Sequence, residues 1–475
     1  VRLLPVCLAL LVSTAPVMAE TLPAPTLVGV ARIPSNTRDQ FGETLGGFGS
    51  AMALVPGSWR HTGNQYTATL TMLPDRGWNT QGTTDYRARL QHFALTLIPY
   101  GGRQPVGQTG LSLVYKDSLL LRDAEGTPTT GLDATAVRPA AKGFPDLPVA
   151  ANRHVSVDGE GLVLPGDGTA WISDEYGPYL YHFDRAGKMI GAIRPPDAFV
   201  PMRKQAGGLA ENFSADSPPA GQKKGLGEPV SGRQNNQGFE GLAISPDHKT
   251  LFAILQSAAM QDTNPGDIKT TRRYTRLVAY DISGTPKLLH EYVVPLPLYG
   301  DGDRKLVAAQ SEMLALDDHR LLLLCRDSGA GFTGKKDASA YRRVELVDLS
   351  AASDIAGGKY DKVGGSVAPM GVLDSAIIPA RLGDVLDINN NAELARFGLH
   401  NGPPNDTNDL YEKWESMALA PVGDAPDDYF LLIGSDNDFI TQDGMMAGEP
   451  YKDASGADVD TLVMAWRITI PKTGR

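Results

Sequence analysis

Four glutamates, Glu160, Glu240, Glu312 and Glu415, each open a short apolar run that leads through a turn into a second apolar run with a polar end. In a further copy of the layout Ser50 stands at the opening position. The polar ends are Asp75-Arg76, Asp174-Glu175, Gln256-Ser257, Arg326-Asp327 and Asp436-Asn437-Asp438. Carboxylates gathered in a confined space repel one another and are costly to keep ionised without a counter-charge. A hard divalent cation removes that cost, and Ca2+ accepts about six to eight oxygen ligands in flexible geometry. Glu160, Glu240, Glu312, Glu415, Asp75, Asp174, Asp327 and Asp438 are therefore candidate ligands of a bound Ca2+. Arg76 and Arg326, each beside an acid, suit an anionic group that bridges to the metal. Glu175 and Asp436 are candidates for orienting an attacking water, which completes a metal-assisted hydrolytic site with Arg76 and Arg326. A scaffold role, one polar side chain per repeat tying strand ends to loop amides, suits the same residues.

These side chains converge only if the repeat closes on itself. The copies are "GSAMALVPGS…YTATLTMLPDRG", "GEGLVLPGDGTAWISDEYG", "FEGLAISPDHKTLFAILQS", "SEMLALDDHRLLLLCRDSG" and "WESMALAPV…DYFLLIGSDND". Their apolar runs are too short for helices, and turns such as "SPDHKT" and "LDDHR" read as hairpins. A third alternating strand follows at 178–187, 273–284 and 341–350, and a fourth in "KMIGAIRP" and "KLLHEYVVP". Four consecutive antiparallel strands, repeated, predict an all-β fold: a β-propeller in one domain over residues 20–475. The first strand of each blade then lines the axis. Five copies are visible, and a sixth degenerate blade fits within 85–150 or 351–410, so the expected count is five or six. The segment 24–34 supplies the missing strand of the last blade and closes the ring without an exposed edge. The polar stretches 197–236, 258–272, 351–370 and 440–458 read as insertions on blade tops.

"FEGLAISPDHKTLFAILQS", "ISDEYGPYLYHFDRAGK", "PDRG" and "ESMAL" resemble the exported phytase-like family labelled "esterase-like activity of phytase". The resemblance covers essentially all of the chain after its first residues. It implies a β-propeller, export, and a Ca2+-supported phosphoesterase or esterase activity.

The formal net charge is −11 over 475 residues with no long basic cluster, which argues against a nucleic-acid partner. A small anionic substrate, such as a phosphoester, remains compatible because a local metal or arginine overrides the global field. Residues 1–19 have the layout of a secretory leader, with Glu20 as the approximate mature start and a periplasmic or secreted destination. No later segment reads as a transmembrane span. Cys325 is then the one remaining cysteine, so no disulfide forms within a chain expected to be a monomer.

Several motifs carry no chemistry. "GAGFTG" (329–334) mimics a nucleotide loop, but a strand rather than a helix follows. Neither G-x-S-x-G nor H-E-x-x-H occurs, which removes the commonest serine-esterase and zinc-protease readings. "DINNNAE" (387–393) lacks the spacing of a calcium loop. His154 reads as structural, and Trp171, Phe183 and Trp466 as core. Besides the phosphoesterase, two readings stay open: a Ca2+-dependent lactonase or carboxyl-ester hydrolase, and a non-catalytic binding propeller.

Overall fold

The computed structural model describes residues 22–302 and 304–472. The leader read in residues 1–19 falls outside them. Five antiparallel sheets form the ring. From axis to rim the first blade holds Ala51–Leu54, Gln65–Leu73, Arg89–Leu97 and Leu111–Leu120, with Arg60–Thr62 as an added strand. The second holds Gly159–Val163, Ala170–Asp174, Leu180–Phe183 and Met189–Ile193. The third holds Phe239–Ile244, Thr250–Leu255, Tyr274–Asp281 and Lys287–Pro295. The fourth holds Ala309–Ala315, Arg320–Arg326, Arg342–Asp348 and Arg381–Asp387. The fifth holds Trp414–Pro421, Asp428–Ser435 and Thr461–Thr469, and Thr26–Ile33 completes it from the other end of the chain.

That closure runs from Thr26 opposite Arg467 to Ile33 opposite Thr461, so the last blade presents no open edge there. The inner strands lie side by side in chain order and the fifth meets the first. The ring therefore closes at five. Residues 85–150 supply the outer two strands of the first blade and a small hairpin, Ala136–Arg138 with Leu147–Val149. Residues 351–410 supply the outer strand of the fourth blade and single helical turns.

Burial explains the strand patterns. Second strands are covered on both faces by neighbouring blades, and every residue from Leu321 to Cys325 is fully buried. Hence their unbroken apolar runs. Outer strands such as Leu111–Leu120 are half-buried. The core is divided among the blade interfaces: Leu73, Leu162 and Ile172 between the first and second, Phe239, Leu180 and Trp171 between the second and third. Phe252 and Leu323 fill the next interface, Leu324 and Trp466 the one after, and Met72 and Phe430 the last. Phe183, Trp171 and Trp466 are thus core residues.

One insertion is not where its composition placed it. Residues 351–380 leave the end of the third strand of the fourth blade and run along the outer strand of the third. There the Ile355 amide donates to Glu291 O at 2.9 Å and the Ala380 amide to Val293 O at 2.8 Å. The segment covers a sheet edge instead of crowning a blade. Buried Arg276 fastens it, bonding Asp262 at 2.8 Å, Glu291 at 3.1 Å and the Tyr360 carbonyl at 2.9 Å. In "GAGFTG", Gly331 has φ +90° and passes so close to Leu410 that an added Cβ would sit 1.9 Å from its carbonyl oxygen. Close backbone packing explains that glycine. Asn390 of "DINNNAE" caps the helical turn Asn391–Leu394 by accepting from the Ala392 and Glu393 amides. No helix among the described residues is long and apolar enough to cross a membrane.

Candidate functional site

Which side chains face the axis is decided by an irregularity that four inner strands share. Their pairing with the second strand slips by one residue between Gly159 and Gly161, Phe239 and Leu242, Gln310 and Glu312, and Trp414 and Ser416. Such a bulge leaves one residue unpaired and re-aims its side chain. Glu160, Glu240 and Glu415 sit in the bulges, and their carboxylates line the axial cavity. In the fourth blade the bulged residue is Ser311. Glu312 is one place further on, and one step along a strand turns a side chain to the opposite face. Its carboxylate is buried between the third and fourth blades, accepting from the Leu242 amide at 3.2 Å and the Met313 amide at 2.7 Å. Burial holds it well above the usual carboxylate range. Glu312 is a tie between inner strands, not an axial ligand.

The polar strand ends resolve in the same way. The amides of Glu175, Gln256 and Asp436 each donate at 2.9 Å to the carbonyl two residues before the bulged glutamate: Asp158, Gly238 and Lys413 respectively. Arg326 pairs with Ala309, two residues before Ser311, and Asp75 lies two residues past Leu73, the partner of Ala51. Asp75, Glu175, Gln256, Arg326 and Asp436 are therefore equivalent. Asp174 and Asp327 are one place off. Asp174 accepts from the Asp158 amide at 2.8 Å and the Gly177 amide at 2.7 Å, and burial pushes it up to about 7. Asp327 accepts from Ser339 Oγ at 2.6 Å and the Ala340 amide at 2.8 Å. Both shape turns and neither lines the cavity. Arg76 is likewise offset from Arg326. It bonds Asp158 at 2.8 Å and lines an adjoining cavity with Asn79, Asp216 and Lys224.

The axial cavity has a volume of about 290 Å³. Glu160, Glu175, Glu240, Glu415 and Asp438 line it together with Gln256, Arg326, Lys413, Glu412 and Arg272. Every lining residue except Ala309 is polar or charged. His154 does not reach it. Among the described residues, three carboxylate groups bring one oxygen from each member within 4.8 Å of the others: Glu160/Glu175/Glu240, Asp75/Asp158/Glu160 and Asp75/Asp436/Asp438.

Counter-charges separate these groups. The Lys413 ammonium lies 2.8 Å from both Asp436 and Asp438 and 3.4 Å from Glu415. Burial works against that charge, but the surrounding carboxylates outweigh it and hold Lys413 well above its ordinary range. Asp436 is fully buried behind the ammonium and does not line the cavity, and burial pushes it up to about 8. Tyr411 donates to Asp438 at 2.7 Å. Asp158 in the second group is neutralised by Arg76. Arg326 bonds Glu415.

Glu160, Glu175 and Glu240 have no such partner among the described residues. Glu240 accepts from Gln256 Nε2 at 2.6 Å and Glu175 from the Gly238 amide at 3.3 Å, but Oε2 of each is buried without a hydrogen bond. Burial first, then neighbouring acids, raises all three: Glu160 and Glu240 well above the carboxylate range, Glu175 to about 7. Orphaned buried carboxylate oxygens at this spacing fit a hard, oxygen-loving cation.

Lys413, Asp158 and Arg272 were not singled out in the sequence. Two of them had a signal. Asp158 and Lys413 precede Glu160 and Glu415 by two residues, the same-face period of a strand. Arg272 sits in an insertion with no periodicity to reveal it.

The family described as "Phytase-like: Esterase-like activity of phytase" matches residues 62–439. A relative from Arthroderma benhamiae, named "Uncharacterized secreted protein", is 42% identical over 453 residues, covering 88% of this chain and 87% of its own. Among solved structures, Pseudomonas fluorescens PhoX in complex with vanadate aligns over 95% of this chain and 97% of its own, at 12% identity and a TM-score of 0.33. A luciferin-regenerating enzyme aligns over 92% and 95%, at 10% identity and a TM-score of 0.28. With a family match spanning most of the propeller and a relative of this identity along nearly the whole chain, the protein belongs to the phytase-like, esterase-like-activity-of-phytase family.

Proposed function

We propose that the chain is an exported, Ca2+-assisted hydrolase of phosphoesters working in the axial cavity. The observation that carries this reading is the trio Glu160, Glu175 and Glu240, whose carboxylate oxygens converge within 4.8 Å, with Oε2 of Glu175 and of Glu240 unpartnered and no ion pair to any of the three among the described residues. Bound there, Ca2+ would supply charge neutralisation for a phosphoryl oxygen. Glu160 and Glu240 would hold it. Glu175, pushed up to about 7 and with Oε2 free of hydrogen bonds, would orient a water and take its proton near neutral pH. Ser311 Oγ at 3.1 Å, the Asp327 carbonyl at 3.3 Å and Glu415 fix the Arg326 guanidinium, so its charge is preorganised for an anionic transition state. The almost wholly polar lining suits a small hydrophilic substrate. Export is supported by the leader-like residues 1–19 and by the name of the Arthroderma benhamiae relative. A lactone or carboxyl ester would use the same cation, but the fixed Arg326 favours a phosphoryl group.

The test is turnover of a nitrophenyl phosphate, a nitrophenyl acetate and a simple lactone by the metal-stripped and Ca2+-reloaded chain. The expected result is Ca2+-dependent phosphoester hydrolysis that falls by about 100-fold or more in Glu240→Gln with the fold intact. Undiminished turnover in that variant, or hydrolysis of the carboxyl ester or lactone alone, would overturn the reading.

A further inference from the structure

The cationic side chains at and beside the axial cavity are not equally free. Arg76 is bound to Asp158, Lys413 to Asp436 and Asp438, and Arg326 to Ser311, the Asp327 carbonyl and Glu415. Arg272 differs. It lines the same cavity as the acidic trio, and its one side-chain hydrogen bond runs from Nη1 to Gln237 Oε1 at 3.2 Å. Its Nε is buried without a partner, and no carboxylate among the described residues pairs with it. Burial lowers its pKa, Tyr299 opposes that shift, and the neighbouring guanidinium of Arg326 lowers it further. Its main chain is pinned, the amide donating to Ile268 O at 3.0 Å and the carbonyl accepting from the Ala258 amide at 3.2 Å. A mostly buried guanidinium beside a second one, with no acid to neutralise it, is a cost unless an anion arrives. Its planar fork matches the oxygen pairs of a phosphoryl group.

We propose that Arg272 is the anchor for the anionic group of the substrate, gripping phosphoryl oxygens in the cavity that holds Glu160, Glu175 and Glu240. The assignment rests on the phosphoester reading above and names a residue for substrate recognition within it. Arg76 lines the adjoining cavity, and Arg326 already has a carboxylate, Glu415, against its guanidinium, so neither is the unpaired cation that an anchor calls for.

The test is calorimetric titration of inorganic phosphate into the Ca2+-loaded chain, with Ca2+ binding measured separately on the same proteins. Wild type binds phosphate; Arg272→Gln binds it about 10- to 100-fold more weakly, the value of a charge-assisted hydrogen bond. Arg272→Lys falls between, and Ca2+ affinity in both variants stays equal or rises because a positive charge has left or moved. Unchanged phosphate affinity in Arg272→Gln overturns the anchor and leaves the hydrolase reading standing. Failure of Ca2+-loaded wild type to bind phosphate overturns both. Loss of Ca2+ and phosphate binding together in both variants also overturns the anchor, because Arg272 would then be supporting the architecture.

Discussion

Glu175→Gln separates the electrostatics of the axial trio from ordinary packing, because its effect grows with pH and changes sign with calcium. In the folded, metal-free chain Glu175 is pushed from 4.5 to about 7, by burial first and Asp158 second, with Arg76 and Arg233 opposing. A carboxyl group raised on folding holds its proton more tightly in the native state. It therefore costs nothing below its unfolded value near 4.5, a growing amount as pH rises from there to about 7, and the full amount above. The difference corresponds to roughly 3 kcal/mol. Glutamine keeps the shape without the charge, and its amide must still find a partner for its hydrogens, so a gain of roughly 2 kcal/mol at pH 8 is expected. For a chain of this length that is a rise of roughly 2 °C in Tm. The assay is thermal unfolding in chelator at pH 5 and pH 8, and again at pH 8 in calcium. In chelator the variant is the more stable protein at pH 8 and matches wild type at pH 5. In calcium the order reverses, because wild type gains by mass action from an ion the variant binds poorly. A variant less stable than wild type at pH 8 in chelator, or one stabilised by calcium as much as wild type, would refute the electrostatic account.

Glu312→Ala leaves the buried amides of Leu242 and Met313 without their acceptor. It should lower stability by roughly 2–4 kcal/mol in denaturant titration while Ca2+ binding by calorimetry stays unchanged. Lys413→Met strands Asp436 and Asp438 without their ammonium, and an unfolding curve should show a loss of roughly 3–5 kcal/mol, partly restored when Asp436→Asn is added. Deleting the chain through Ile33 removes the strand that pairs with Thr461–Thr469; size-exclusion chromatography should then show aggregated rather than compact protein.

Much of the architecture was legible because it is local. Unbroken apolar runs such as Leu321–Cys325 announce strands covered on both faces, and hairpin turns announce antiparallel neighbours. The repeat of that pair around the chain, with Thr26–Ile33 left over at one end, implies a closed ring. The count of five was less legible, since long segments without motif copies hide outer strands such as Arg381–Asp387 among loops. The stretch 351–370 was misplaced for the same reason: composition marks a segment as an insertion but not the surface it lies on.

What the sequence determined by itself is the propeller repeat, the closing strand and an acidic axis, because apolar period, turn chemistry and residue type are properties of a few consecutive residues. Only the tertiary structure decided which acids meet. Glu415 and Glu312 look alike in the chain, yet the bulge falls on the first and one residue before the second, and with a side-chain period of two that single step sends Glu312 into a blade interface. Likewise Asp174 and Glu175 are neighbours, but only Glu175 lines the cavity. The charges that single out Glu160, Glu175 and Glu240 are also non-local. Arg76 of the first blade neutralises Asp158 of the second, and Lys413 meets Asp436 and Asp438 across two strands of the fifth, pairings set by blade docking and strand register, which no short stretch of sequence encodes.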